Sequence, residues 1–254
     1  MASSRAITRA LMASLVVAFA TPSDAGQQAR RGHALVVPLP PGPPPEATRR
    51  DHPNYAMRPE QASGARPVSV YLHGICGEPS NGCPYFRAGN RDDAWLACPR
   101  APARCENGGA TWTASPAAQR RVIEESIAEV AARDPSHVDA SAPSVLIGFS
   151  QGAYVARTLF LRWPHRFCAL VFVGANIRLD PRELRANGIE RVVLAVGRYD
   201  GSRAVMADTA ARLAHARFPV RFVDLGLVGH TYVPEAGASV WREALAWARG
   251  GASS

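Results

Sequence analysis

Ser150, Asp200 and His230 are the three residue types that nucleophilic acyl transfer uses, and each stands within two residues of a glycine. A serine hydroxyl is a weak nucleophile at neutral pH. It needs a base to take its proton, and the base needs a third group to orient it. Ser150 lies in Gly-Phe-Ser-Gln-Gly, where the apolar run SVLIGF gives way to the helix-like QGAYVARTLFLRWP. A sharp strand-to-helix turn there would lift the hydroxyl out of a sheet, and Gly148 and Gly152 carry no side chains to obstruct it. The pentapeptide alone does not make a nucleophile, because a plain turn of small residues would look the same.

The other two residues carry the inference. His230 follows the strand-like VRFVDLG in the loop LVGHTYVP, with Gly229 easing the turn. No other histidine after Ser150 has such a place: His165 follows the helix-stopping Pro164, and His215 is inside a helix-like run. Asp200 leaves the apolar run RVVLAVG in RYDG, just before another helix-like segment. Its rivals fit less well. Asp180 precedes Pro181 and reads as a helix cap, and Asp224 lies within a strand rather than beyond one. Backbone N–H groups must also meet the negative oxygen of a tetrahedral intermediate. Gln151, at the start of a helix, supplies one, and the turn LHGICG supplies the other, assigned to Ile75. His73 in that turn reads as a structural residue that pins it.

These placements require an alternating chain, and the sequence alternates. VSVYLHG, SVLIGF, FCALVFVGA, RVVLAVG and VRFVDLG are strand-like. The segments starting at Ser115, Gln151, Arg203 and Glu235 have helical spacing, the first with a Ser115 cap and Pro116 behind it. Apolar strands alternating with helices imply an α/β doubly wound, mostly parallel sheet covered on both faces, with its working groups at the strands' carboxyl ends.

GFSQG, LHGICG, GRYDG and GHTYV together resemble the α/β-hydrolase superfamily, most of all its small carboxylesterase/phospholipase-like branch, which includes acyl-protein thioesterases. The resemblance spans about Val68 to Gly250. It implies Ser150 as nucleophile, His230 as base and Asp200 as orienter, in the chain order that superfamily uses. Fewer than 20 residues separate FVGA from the strand at Arg191, too short a stretch for a cap domain, so an open, uncapped site is expected. Trp112, in GGATWTAS, is a candidate pocket lining or a core residue, and Tyr199 is a candidate lining beside the acid. The expected activity is hydrolysis of short or medium acyl esters, or of accessible esters on a larger body, without metal or cofactor. The alternatives are a serine peptidase on the same scaffold and a non-catalytic secreted binding domain.

The chain departs from that branch at its start. Arg5 and Arg9 precede the apolar stretch ALMASLVVAFA and small residues, the layout of a secretory signal peptide cut near Ala20 or Ala25. The apolar run is shorter than the roughly 20 residues a membrane span needs, so no span is expected after processing. The chain divides into a leader peptide (1–25), a Pro-rich segment (26–66) in which HALVVPLP could hold an edge strand, and a hydrolase domain (67–250). Export makes disulfides the natural reading of Cys76, Cys83, Cys98 and Cys105. Neighbours seven apart could close small loops worth about 2.5 kcal/mol each. Three connectivities remain open, and a Cys76–Cys83 pair would brace the Ile75 turn. The spacings do not suit zinc, and Cys168, in an apolar run, reads as a buried thiol. The net charge of +8 rests on Arg alone, since the chain has no Lys. The Arg residues are scattered, which describes a solvated surface rather than a nucleic-acid site.

Overall fold

The computed structural model describes residues 46–47, 54–59, 64–90, 94–106 and 108–250. The signal-peptide reading and the HALVVPLP strand lie outside them. The strands are β1 (Glu46–Ala47), β2 (Tyr55–Met57), β3 (Arg66–Leu72), β4 (Trp95–Cys98), β5 (Ala103–Arg104), β6 (Ala110–Thr111), β7 (Val138–Asp139), β8 (Ser144–Phe149), β9 (Phe167–Val173), β10 (Arg191–Val196) and β11 (Val220–Asp224). The helices are α1 (Pro79–Asn90), α2 (Pro116–Arg133), α3 (Gln151–Arg162), α4 (Pro181–Ala186), α5 (Arg203–His215) and α6 (Ser239–Ala248).

One mixed sheet runs β1-β2-β4-β3-β8-β9-β10-β11, parallel from β4 onward, with β1 and β2 antiparallel at one edge. β1 and β2 fall within the Pro-rich segment, so the sheet begins before residue 67. Each central strand faces two ways, because successive side chains point to opposite faces. Leu146, Leu170, Phe172, Val192 and Leu194 pack with α2, α3, α4 and α5. Val145, Ile147, Val171, Val193 and Ala195 pack with α1 and α6. Burial on both faces is why these strands read as unbroken apolar runs. The predicted helices form, and Ser115 caps α2 by accepting from the Ala118 N–H.

Helix α1 forms without a strong helical signal in the sequence. Its sequence, PSNGCPYFRAGN, reads as Gly/Pro-rich loop, and Pro84 inside it removes one helical hydrogen bond. Packing outweighs that cost. Phe86 is fully buried between the rings of Tyr71 (4.6 Å) and Trp241 (4.7 Å), and Cys83 is bonded to Cys98 in β4. The pairing is also not between neighbours seven apart. Cys76 joins Cys105 and Cys83 joins Cys98, closing loops of 29 and 15 residues, worth about 4 and about 3 kcal/mol by loop entropy. Cys168 is free and half-buried rather than fully buried, and burial pushes its thiol pKa up.

Candidate active site

The strand order reverses on either side of β3: the chain goes from β3 out to β4, then returns to place β8 on β3's other flank. The crevice between the carboxyl ends of β3 and β8 is therefore the topological switch point, where open α/β sheets bind ligands. The turn after β3 and the Ser150 turn after β8 meet there. A methyl group on Gly74 would lie 3.3 Å from the Ser150 Cβ.

Ser150 has φ 52° and ψ −117°, a backbone conformation that costs a non-glycine residue about 1–3 kcal/mol. Its neighbours hold it there: the Ser150 N–H donates to Val173 O at 2.9 Å, and its own carbonyl accepts from the Ala153 N–H. The flanking glycines are required by space. A Cβ on Gly148 would sit 2.5 Å from Gly152 O, and one on Gly152 would sit 2.2 Å from Leu72 O. The bend is tight enough that no side chain fits at either position.

His230 arrives from the loop after β11, and Asp200 from the end of β10. His230 Nε2 is 2.9 Å from Ser150 Oγ, and His230 Nδ1 is 2.8 Å from Asp200 Oδ2. The carboxylate can only accept, so Nδ1 carries the proton and Nε2 is left to take the serine's. Asp200 is buried, whereas the His230 side chain is half exposed. Burial pushes the Asp200 pKa up, but three hydrogen bonds, from the Ser202 N–H, the Ser202 hydroxyl and His230, outweigh it and hold the carboxyl below its usual range. Ser202 is the residue that sequence reasoning missed. Its signal was the Asp-Gly-Ser turn, in which an aspartate accepts from the residue two ahead. Phe149 lies against the imidazole, ring centroids 5.1 Å apart.

The rivals are elsewhere. Asp180 accepts from the Arg182 N–H at the start of α4, and Asp224 pairs with Arg198 and Arg203. Gln151 opens α3, next to the hydroxyl, and its side-chain Oε1 accepts from the Trp112 N–H (3.0 Å) and the Thr111 hydroxyl (3.1 Å). Ile75 follows Gly74 with its side chain exposed. Trp112 does not line an open site. It is 3% exposed, lies against the His73 ring and donates its indole N–H to His73 O at 3.0 Å. Tyr199, 72% exposed, stands on the surface beside the acid.

His73 accepts the Ala101 N–H at Nε2 (3.1 Å) and bonds Gly74 O through Nδ1 (2.8 Å), so it is neutral and pins the turn. Burial, and secondarily the charge of Arg100, lowers its pKa from 6.5 to about 4, against the opposing bond to Gly74. The unfolded chain therefore binds this proton more tightly. The stabilisation is complete above the unfolded value and is lost as pH falls from 6.5 toward about 4, amounting to about 3 kcal/mol. Urea unfolding of wild type and His73→Gln at about pH 7 and about pH 4.5 checks this. The variant should lose correspondingly less stability on acidification, and an unchanged difference would exclude His73 as the source.

No protein-family model matches the chain, and no curated protein matches it in sequence. Solved structures match its fold. A Bacillus cereus carboxylesterase is 19% identical, covering 80% of this chain and 95% of its own, at a TM-score of 0.54. An esterase, PE8, is 21% identical over 78% of this chain and 97% of its own, at 0.55. A Mesorhizobium loti carboxylesterase is 18% identical over 82% of this chain and all of its own, also at 0.55. The chain has the α/β-hydrolase fold.

Proposed function

We propose that this chain of α/β-hydrolase fold is an exported serine esterase. One observation carries the reading: Ser150, His230 and Asp200 come from three separate strand ends and meet in a continuous hydrogen-bonded line of 2.9 and 2.8 Å. Ser150 Oγ attacks the ester carbonyl while His230 Nε2 takes its proton. The tetrahedral intermediate collapses as His230 returns that proton to the departing alcohol, leaving an acyl-serine. Water, activated by the same imidazole, adds to the acyl carbonyl and releases the acid. Asp200 stabilises the imidazolium in both halves, and the N–H groups of Gln151 and Ile75 bind the oxyanion.

The substrate class follows from the surface around these residues. Among the described residues the exposed large hydrophobic side chains are Ile75, Tyr154, Tyr199 and Leu227. Each lies within four residues of Ser150, Asp200 or His230, or next to Gly74, which touches Ser150. Exposed apolar side chains flanking these residues in the chain support esters with apolar acyl groups, including esters on a body too large to be enclosed. The connection from β9 to β10 holds only the six-residue α4, whose Leu184 is packed in the core, so it places no cap over the site. Two disulfides fit an oxidising compartment and so support export.

The test is a fluorophosphonate probe together with p-nitrophenyl esters from acetate to decanoate. The expected outcome is labelling of the Ser150 peptide and faster turnover of the longer acyl chains. Protein that neither labels nor hydrolyses any ester would favour the non-catalytic binding domain. Labelling with turnover of peptide substrates alone would favour a peptidase.

A further inference from the structure

The two proposed oxyanion donors belong to segments that a third piece of chain ties together. Gly74 to Gly77 form a turn closed by the Gly77 N–H donating to Gly74 O at 3.1 Å. Ile75 and Cys76 are its central residues, and Cys76 has φ 51°, a left-handed conformation that an unrestrained cysteine rarely keeps. Residues 100–106 and 108–112 lie over this turn, with β5 pairing antiparallel to β6 as a short hairpin. At one end, the Ala101 N–H donates to His73, and Arg100 bridges Glu78 and Gly108 O, each at 2.7 Å. At the other end, the Ala110 N–H donates to Gly77 O and the Trp112 indole to His73 O. The same end reaches the second donor, since Thr111 and Trp112 both hold the Gln151 side chain. Between the ends, Cys105 is bonded to Cys76 itself.

We propose that the Cys76–Cys105 disulfide is a positioning element for the oxyanion site: it fixes the hairpin that holds the Ile75 and Gln151 N–H groups in place. This rests on the esterase reading. The two disulfides then have separate duties. Cys83 and Cys98 are fully buried between α1 and β4 and serve stability, whereas Cys76 and Cys105 are half-buried on the rim of the site and serve rate. A dithiol reductant reaches the rim bond first. It takes each sulfur to a thiol, supplies the two electrons and two protons, and is itself oxidised to a cyclic disulfide.

Loss of an oxyanion donor lowers kcat by about 10²–10³, and loosening both without removing either should lower it by about 10- to 100-fold. The experiment treats wild-type enzyme with graded dithiothreitol and follows it with alkylation and peptide mapping, with kcat and KM read on one p-nitrophenyl ester. In parallel, Cys76→Ser/Cys105→Ser and Cys83→Ser/Cys98→Ser are compared for kcat, KM and urea midpoint. The expected result is that kcat falls in step with alkylation of Cys76 and Cys105 at nearly constant KM. The second double variant should lose stability yet keep wild-type kcat while folded. Wild-type kcat with the Cys76–Cys105 bond open, in either the reduced enzyme or the variant, overturns the proposal. An oxidised wild-type enzyme inactive on every ester would overturn the esterase reading instead.

Discussion

Replacing either Ser150 or His230 by alanine should lower kcat by about a million-fold, and replacing both should do little more. The reason is that in the proposed mechanism the two side chains perform one act. At 2.9 Å the imidazole takes the proton as the oxygen attacks, so removing the oxygen leaves the base nothing to activate, and removing the base leaves a neutral hydroxyl. The folded state should survive both changes. Ser150 is held by its backbone, through Val173 and Ala153, rather than by its hydroxyl, and His230 is half exposed. The check is kcat on one p-nitrophenyl ester for both single variants and the double, with far-ultraviolet circular dichroism and fluorophosphonate labelling alongside. Fluorophosphonate labelling that persists in Ser150→Ala would place the nucleophile elsewhere. Two losses that multiply in the double variant would show that the residues act separately.

The second large effect is at the acid. Asp200→Asn should lower kcat by about 10⁴-fold while leaving the fold intact. Asparagine has nearly the shape of aspartate and retains an oxygen for the two bonds from Ser202. What it loses is the acceptor-only character of Oδ2. An amide facing His230 Nδ1 donates to it, and the ring then carries its proton on Nε2, aimed at Ser150, where a base is needed. The control variants are Asp180→Asn and Asp224→Asn. Asparagine caps a helix about as well as aspartate, so α4 should persist, and Asp224 pairs with Arg198, Arg203 and its own turn. Neither should change kcat by more than about twofold, since neither touches the histidine. A variant of Asp180 or Asp224 as damaging as Asp200→Asn would show that the third member of the line is misassigned.

Much of this was legible from local pattern. Burial of the central strands on both faces leaves an apolar run, and a helix packed on one side leaves a 3.6-residue rhythm, so the β/α alternation could be read without any tertiary contact. The alternation then put Ser150, Asp200 and His230 at strand ends in a consistent order. Asp180 could be set aside locally too, because a cap before proline makes its bond two residues away. Ser202 was within reach by the same logic, had the Asp-Gly-Ser turn been followed to its second acceptor oxygen.

The tertiary structure decided whatever depends on residues far apart in the chain. Helix α1 carries an internal proline and no strong pattern, and it forms because Phe86 is enclosed by Tyr71 and Trp241 and Cys83 is tied to β4. Cysteine spacing could not select the nested pairing, since it is set by where α1 and the hairpin pack. Trp112 could have faced solvent or core, and the acceptor that settles it, His73 O, lies 39 residues away. By itself the sequence determined the alternation of the long parallel strands with the helices between them and which three side chains stand at their ends, because periodicity and turn chemistry act over a few residues. Only the folded chain decided that those ends converge to 2.9 and 2.8 Å, and that a disulfide-held hairpin ties the turn after β3 to Gln151. Convergence depends on strand order and packing, which no short window contains.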